Sequence, residues 1–259
     1  MHWRLPAVCG AANAPIRASA LAYAPISCRF HGLWQTGRVS KPRTWLSWSS
    51  GKDSAWALHV LRQRDEVEVT GLVTTVNTAF DRVAMHAVRR ELLEAQAAAV
   101  GLPLHIVSIP YPCANEEYER AMSALVGNAV VNGVTHMAFG DLFLEDIRQY
   151  REQRLAGTGI APLFPLWRVP TPVLAREMIA AGTEAYLTCV DPKHLDPSFA
   201  GRRFDGQLLN DLPDHVDPCG EKGEFHTFVA DGPAFLHRLP VQAGEVVTRD
   251  GFVFADLFL

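Results

Sequence analysis

The chain has 259 residues, of which 48% are hydrophobic and 20% charged, and a formal net charge of −4. That composition suits a soluble globular protein of one large α/β domain, or one domain with a smaller companion. The acidic balance argues against a nucleic-acid partner. No apolar run approaches the ~18 residues that span a bilayer.

The five cysteines, Cys9, Cys28, Cys113, Cys189 and Cys219, are scattered and form no CxxC pair. They read as reduced thiols of a cytoplasmic protein. Residues 1–43 differ from the rest. No acid precedes Asp53, and Arg4, Arg17, Arg29, Arg38, Lys41 and Arg43 lie among Ala, Pro and Gly. The stretch reads as a disordered extension or an early start, with an organelle-targeting leader as the competing reading. Without residues 1–38, which carry four arginines and no acid, the net charge becomes −8.

Residues 44–49 form a short apolar strand. Residues 54–64 place Ala55, Leu58 and Leu61 at helical spacing. The β-branched stretch 67–76 predicts a second strand. A helix is expected over 83–100, with Val88, Leu92, Leu93, Ala95 and Ala99 on one stripe and Gly101 as its stop. A strand at 104–109, a helix at 116–131, a strand at 136–139 and a polar helix at 145–155 follow. A helix at 173–181 and a strand at 185–190 complete the alternation, which implies βαβ units and a parallel sheet covered on both faces. After Asp191 prolines interrupt the pattern. The last thirty or so residues read as short antiparallel strands with turns at Asp231-Gly232-Pro233 and Asp250-Gly251.

Between the first strand and first helix lies Ser49-Ser50-Gly51-Lys52-Asp53-Ser54. A strand, a loop of small residues and a helix N-terminus make an anion site: backbone N–H groups point at the ligand and the helix dipole adds partial positive charge. The serine hydroxyls add donors, Lys52 adds a full charge, and Gly51 permits close approach. The loop is not GxxxxGK[ST]. It resembles the SGGxDS signature of the PP-loop ATP pyrophosphatases, with Ser50 at the first Gly position. That change is mild if residue 50 has negative φ and costly otherwise.

Loops at the C-terminal ends of parallel strands build the ligand crevice. Asn77, Arg82 and His86 follow the second strand and could meet adenosine or substrate. Gly140 and Asp141 follow the fourth, where a carboxylate can hold Mg²⁺ against phosphate oxygens. Arg148, Tyr150 and Arg151 come next, and the arginines suit phosphate or carboxylate. Asp191 closes a later strand. In Gly220-Glu221-Lys222-Gly223-Glu224-Phe225-His226-Thr227 the glycines permit close approach, and Glu221 and Glu224 could bind a cation, an amine or ammonium. Cys189, His194, Cys219 and His226 match no common zinc spacing.

Phe139-Gly140-Asp141, Tyr150-Arg151, Pro165-Leu166-Trp167, Leu195-Asp196-Pro197 and the Gly-Glu block, taken with the loop, are similar to the diphthine–ammonia ligase family, from about residue 44 to 233. The resemblance implies a HUP-like (adenine nucleotide alpha hydrolase-like) α/β fold with helices on both faces of a parallel sheet and a smaller C-terminal substrate domain, divided here as 44–142 and 143–259. It implies ATP and Mg²⁺ as cofactors, and ammonium and an acceptor carboxylate on a protein such as elongation factor 2 as partners; a homodimer is compatible with it. The implied reaction adenylates the carboxylate and amidates it, releasing AMP and pyrophosphate. Ser49, Ser50, Gly51, Lys52, Asp53 and Ser54, with Asn77, His86, Gly140 and Asp141, would hold the nucleotide, and Asp53 and Asp141 the metal. Lys52, Asp53, Glu221 and Glu224 would be catalytic. Arg148, Tyr150, Arg151, Asp191, Gly220, Glu221, Gly223, Glu224, His226 and Thr227 would meet the acceptor. A PP-loop tRNA-modifying enzyme and a non-catalytic adenine-nucleotide sensor are the alternative readings.

Overall fold

The structure, a computed structural model, describes residues 40–83 and 88–259. The arginine-bearing leader before residue 40, and His86, lie outside the described residues.

Strand β1 (Arg43–Ser47) is central, with β2 (Glu68–Asn77) and β5 (His136–Ala138) parallel on either side. Beyond β2 lies β4 (Leu104–Ile109), and beyond β5 lies β6 (Ala161–Leu163), both parallel. β3 (Arg82–Val83) pairs antiparallel with the end of β2. Helices α1 (Lys52–Arg64), α2 (Arg90–Val100), α3 (Asn115–Val131) and α4 (Glu145–Leu155) connect the strands. Alternate residues face opposite sides of the sheet. Leu46, Leu72 and Ala138 join a core with Leu58 and Leu61 of α1 and Leu92 and Leu93 of α2. Trp45, Val73 and Met137 join the other core with Leu125 of α3 and Leu155 of α4. The parallel α/β sheet with helices on both faces is therefore the observed architecture.

Two local expectations differ. The helix expected from residue 83 begins at Arg90, because Val83 pairs with Val76 and its N–H donates to the Val88 carbonyl. The edge strand β6 was not foreseen; Pro162 sits in it, as an outermost strand allows. It carries the parallel sheet past residue 142 to residue 163.

The remainder contains α5 (Thr171–Ala180), β7 (Glu184–Val190), α6 (Gly206–Asp211), β8 (Phe225–Asp231), β9 (Gln242–Arg249) and β10 (Phe252–Phe258). Its strands form a separate antiparallel sheet in the order β8-β7-β10-β9. Asp250 and Gly251 both have positive φ (52° and 84°), the two-residue turn whose twist matches a hairpin. Leu187, Phe204, Phe228 and Val253 share one core with α1 and α2, so this sheet packs against the α1 side of the first.

Candidate active site

The loop between β1 and α1 sits where β8 meets the parallel sheet. The Val229 N–H donates to the Ser50 carbonyl (3.0 Å), and the Lys52 N–H donates to Thr227 Oγ1 (3.1 Å). Helix α1 starts from Gly51 with no side-chain cap, which leaves its first N–H groups and their partial positive charge to the loop's surroundings. The Ser54 hydroxyl donates to the Gly51 carbonyl (2.9 Å) and lies 3.3 Å from Ser49 Oγ. Ser50 has φ 68°. The serine that replaces glycine in the family signature therefore occupies the left-handed region, where a Cβ costs about 1–2 kcal/mol. Its Oγ is buried and has no hydrogen-bond partner among the described residues.

Two other segments close on this loop. Gly140 follows β5, and a Cβ there would lie 3.0 Å from the Asp53 backbone, so a larger residue would need the start of α1 to give by a few tenths of an ångström. The segment 217–227 arrives from the antiparallel sheet. Gly220, at φ 68°, would place a Cβ 2.7 Å from the Phe225 carbonyl oxygen. A cavity of ≈ 220 Å³ results. Of the expected site residues, Ser49, Lys52, Asp53, Ser54, Gly140, Asp141, Arg151, Gly220, Glu221, His226 and Thr227 line it.

Lys52 is almost wholly buried. Its Nζ donates to Asp53 Oδ2 (2.9 Å) and to the Cys219 carbonyl, and lies 5.6 and 5.5 Å from the Phe204 and Phe225 ring centres. Burial works against its charge, but Asp53 beside it outweighs that and the amine's pKa is held above the usual lysine value. Burial pushes the Asp53 carboxyl up, with Lys52 opposing. Asp53 Oδ1 is buried with no hydrogen-bond partner among the described residues. Asp141 accepts from Arg151 Nε (2.5 Å) and Nη2 (3.0 Å), and the Arg151 guanidinium stacks 4.3 Å from the Phe139 ring centre.

The Glu221 carboxylate accepts from the Leu142 N–H (2.8 Å). Burial pushes its pKa up to about 7, with Asp53 and Asp141 adding and Leu142 and Lys52 opposing. Burial, then the Lys52 charge, takes His226 down to about 4, so its imidazole is neutral at pH 7. Burial also raises the Cys219 thiol well above its ordinary range, which leaves it protonated and not a nucleophile.

The other expected residues stand elsewhere. Glu224 is 2% exposed and accepts from the Asp217 N–H (3.0 Å) and the Lys222 N–H (2.9 Å), so it ties the loop together behind the cavity. The Asp191 carboxylate accepts from the Lys193 N–H (2.9 Å), and its own N–H donates to the Glu224 carbonyl (2.9 Å). Gly223 has φ 87° in the same loop turn. Asn77 accepts from the Ala79 N–H (2.9 Å) at the end of β2. Arg148 stacks on Phe164 and Trp167, each 4.8 Å away, and pairs with Glu152 (2.7 Å). Tyr150 lines a second cavity of ≈ 180 Å³ between α3 and α4, and Arg151 lines both cavities.

Reading the sequence overlooked three supports of the site. Asp217 accepts from Thr171 Oγ1 (2.6 Å), the Cys219 N–H (2.9 Å) and the Glu221 N–H (3.3 Å), and so shapes the whole loop. An Asp before proline is the local signal for such a turn. Phe225 packs under Lys52. Gln96, far away in the chain, reaches the loop through the core.

The chain matches the diphthamide synthase N-terminal domain over residues 42–160 and the diphthamide synthase C-terminal domain over residues 171–254. It is 28% identical over 232 residues to a diphthine–ammonia ligase of Danio rerio, which covers 81% of this chain and 90% of that one. A diphthine–ammonia ligase of Bos taurus is 26% identical over 233 residues, 81% of this chain and 86% of that one. One of Homo sapiens is 27% identical over 196 residues, 69% and 72% respectively. Both halves of the architecture, in their expected order, are thus accounted for by a single family. The cavity lies where the two matched segments meet, between a phosphate-type loop of the first and the Gly-Glu loop of the second. The chain belongs to the diphthamide synthase family and is an ATP-dependent ligase.

Proposed function

We propose that the protein adenylates the carboxylate of a diphthine-like acceptor, carried on a protein such as elongation factor 2, and transfers ammonia to it. The observation that carries this reading is one cavity shared by an anion-type loop, two aspartates and the half-buried Glu221. The names of the relatives, diphthine–ammonia ligases, support the same chemistry.

The acceptor carboxylate oxygen attacks the α-phosphorus of ATP. The bond to the oxygen bridging the α- and β-phosphates breaks, and pyrophosphate leaves. Ammonia then attacks the acyl carbon, the bond to AMP breaks, and the nitrogen loses a proton. Ser49, Ser54 and the N-terminus of α1 hold the departing pyrophosphate. Lys52, beneath the loop, contributes positive charge in a dry site where it counts for more than in water. The unpartnered Asp53 Oδ1 and the neighbouring Asp141 fit a magnesium ion carried on phosphate, which takes one or two carboxylates and the phosphate oxygens. Bound there, Mg²⁺ would supply neutralising charge on those oxygens. Glu221 accepts N–H groups of the ammonium, and the neutral His226 offers a hydrogen bond to the acceptor. The second cavity, which shares Arg151 with the first, suits a reaction with two bound substrates. In this reading residues 44–142 handle nucleotide and residues 143–259 handle acceptor.

The test is the nucleotide produced from Mg-ATP and ammonium with diphthine-bearing elongation factor 2. AMP and pyrophosphate in equal amounts are expected. Lys52→Ala should lower their formation by roughly 100-fold, the scale of losing one charge-stabilising group. ADP and phosphate would remove the mechanism. ATP binding without turnover would favour the sensor reading.

A further inference from the structure

We propose that Gln96 is a positioning residue for the anion loop, one that holds the Ser50–Gly51 peptide with its N–H group toward the bound pyrophosphate. Gln96 lies on α2, 46 residues from the loop in sequence, and is 0% exposed. Its three bonds fix the orientation of its amide. Trp48 Nε1 can only donate, so Oε1 faces it (3.0 Å). The carbonyls of Ser50 and Val229 can only accept, so Nε2 faces both (3.1 and 2.6 Å). One side chain thus ties the end of the segment after β1, the loop and β8 into a single network inside the core.

The Ser50 carbonyl also accepts from the Val229 N–H (3.0 Å). Two donors therefore draw that oxygen into the interior. In a trans peptide the carbonyl and the following N–H point in opposite directions. With the Ser50 oxygen drawn inward, the Gly51 N–H must point outward. It donates to Ser49 Oγ (3.3 Å), and Ser49 is among the residues that line the cavity. A flipped peptide would turn a carbonyl oxygen to the anion instead of a donor, and the two negative groups would repel. A flip of this peptide turns ψ of Ser50 and φ of Gly51 (−89°), and as a glycine Gly51 does not resist it. Ser50, held at φ 68°, adds strain that its surroundings must hold. The Gln96 amide and the Val229 N–H together hold the peptide, and glycine at position 50, the residue of the family signature, would need them less.

The inference rests on the pyrophosphate reading of the loop, and the experiment separates the two. The dissociation constants of inorganic pyrophosphate and of Mg-ATP are measured by calorimetry on the full chain, with Tm determined in parallel. Wild-type protein is compared with Gln96→Met, Gln96→Met/Ser50→Gly and Trp48→Phe. Methionine keeps the length and loses the amide, and pyrophosphate binding should weaken about tenfold, the scale of one misplaced charge-assisted hydrogen bond. Glycine at position 50 in that background should restore the affinity to within about threefold of wild type, since it tolerates positive φ unaided. Trp48→Phe frees only the Oε1 end and should weaken binding about threefold, which decides the matter if Gln96→Met does not fold. A purely structural glutamine would lower Tm in Gln96→Met and leave the pyrophosphate constant unchanged, and that result overturns the proposal. So does failure of Ser50→Gly to restore binding. If wild type itself does not bind pyrophosphate, the anion reading falls first and this one with it.

Discussion

The Glu221 carboxyl sits where its charge is unwelcome. Burial, with Asp53 and Asp141 across the cavity, pushes its pKa up to about 7 from an ordinary value of 4.5. The folded chain therefore binds this proton more tightly than the unfolded chain does. Stability is lost as pH rises through the window from about 4.5 to 7, and above 7 the whole penalty applies, on the order of 3 kcal/mol. Glu221→Gln keeps an oxygen for the Leu142 N–H and removes the charge. In the protein free of nucleotide and metal, the variant should match wild type near pH 4.5 and unfold at higher temperature at pH 8, while forming AMP at least about tenfold more slowly. Thermal unfolding at both pH values and an AMP assay give the answer; equal Tm values at pH 8 would show that the carboxyl is not strained. The glutamate was legible in sequence because a Gly-Glu block before a strand is local. Gln96 was not, since one glutamine on an otherwise apolar helix stripe reads as a surface residue until the fold shows α2 buried against β8. Glu224 looks like its neighbour in sequence, but one turn further along the loop its carboxylate faces inward to backbone N–H groups.

Contact between elements sets the cavity, and Gly140 is where the loop after β5 touches α1. A Cβ there would meet the carbonyl carbon and oxygen of Asp53 at 3.0 Å and the Ser54 nitrogen at 3.1 Å. These are backbone atoms in the first turn of α1 and cannot swing aside as a side chain would. Gly140→Ala should push the start of α1 away from the loop after β5, at a stability cost of about 1–3 kcal/mol, as overpacking does. Affinity for Mg-ATP should fall about tenfold, because the helix N-terminus and Asp53 move together relative to Asp141. Calorimetric titration with Mg-ATP and denaturant unfolding measure the two effects; an alanine variant equal to wild type in both would show that the contact is slack. At this scale the sequence was largely readable. Strands β1, β2, β4, β5 and β7 follow apolar, β-branched runs, and α3 and α4 follow helical spacing. The failures occurred where one local pattern served two structures. Val83 continues the apolar stripe of α2 but pairs with Val76, and β6 is three residues with a proline, too short to signal a strand.

Across the whole molecule the two sheets meet at the cavity and again where Asp256 of β10 takes two arginines from the other sheet's periphery. Arg82 of β3 donates from Nη1 to Oδ1 (2.9 Å) and from Nη2 to Oδ2 (3.3 Å). Arg89, just before α2, donates from Nε to both oxygens (3.1 Å each). Burial alone would raise this carboxyl, but the hydrogen bonds of Arg89 and Arg82 reverse it and hold the pKa down at about 2. Nothing local in the sequence joins residues 167 and 174 positions apart, so this clamp is a property of the fold alone. The sign follows from the depression. The folded chain releases the proton more readily than the unfolded one, so the contribution is complete above about pH 4 and is lost as pH falls toward 2. Partial exposure of the pair reduces it, and about 1 kcal/mol is a fair expectation at pH 7. Asp256→Asn should lower unfolding free energy by that amount at pH 7, and the gap from wild type should close as pH drops below 4. Urea unfolding between pH 2.5 and 7 reads this directly. Because the clamp lies away from the cavity residues, the variant should keep the wild-type affinity for pyrophosphate. If the gap persists unchanged at pH 2.5, Asp256 contributes through packing and not through charge; if pyrophosphate affinity falls with it, the two junctions between the sheets are mechanically coupled.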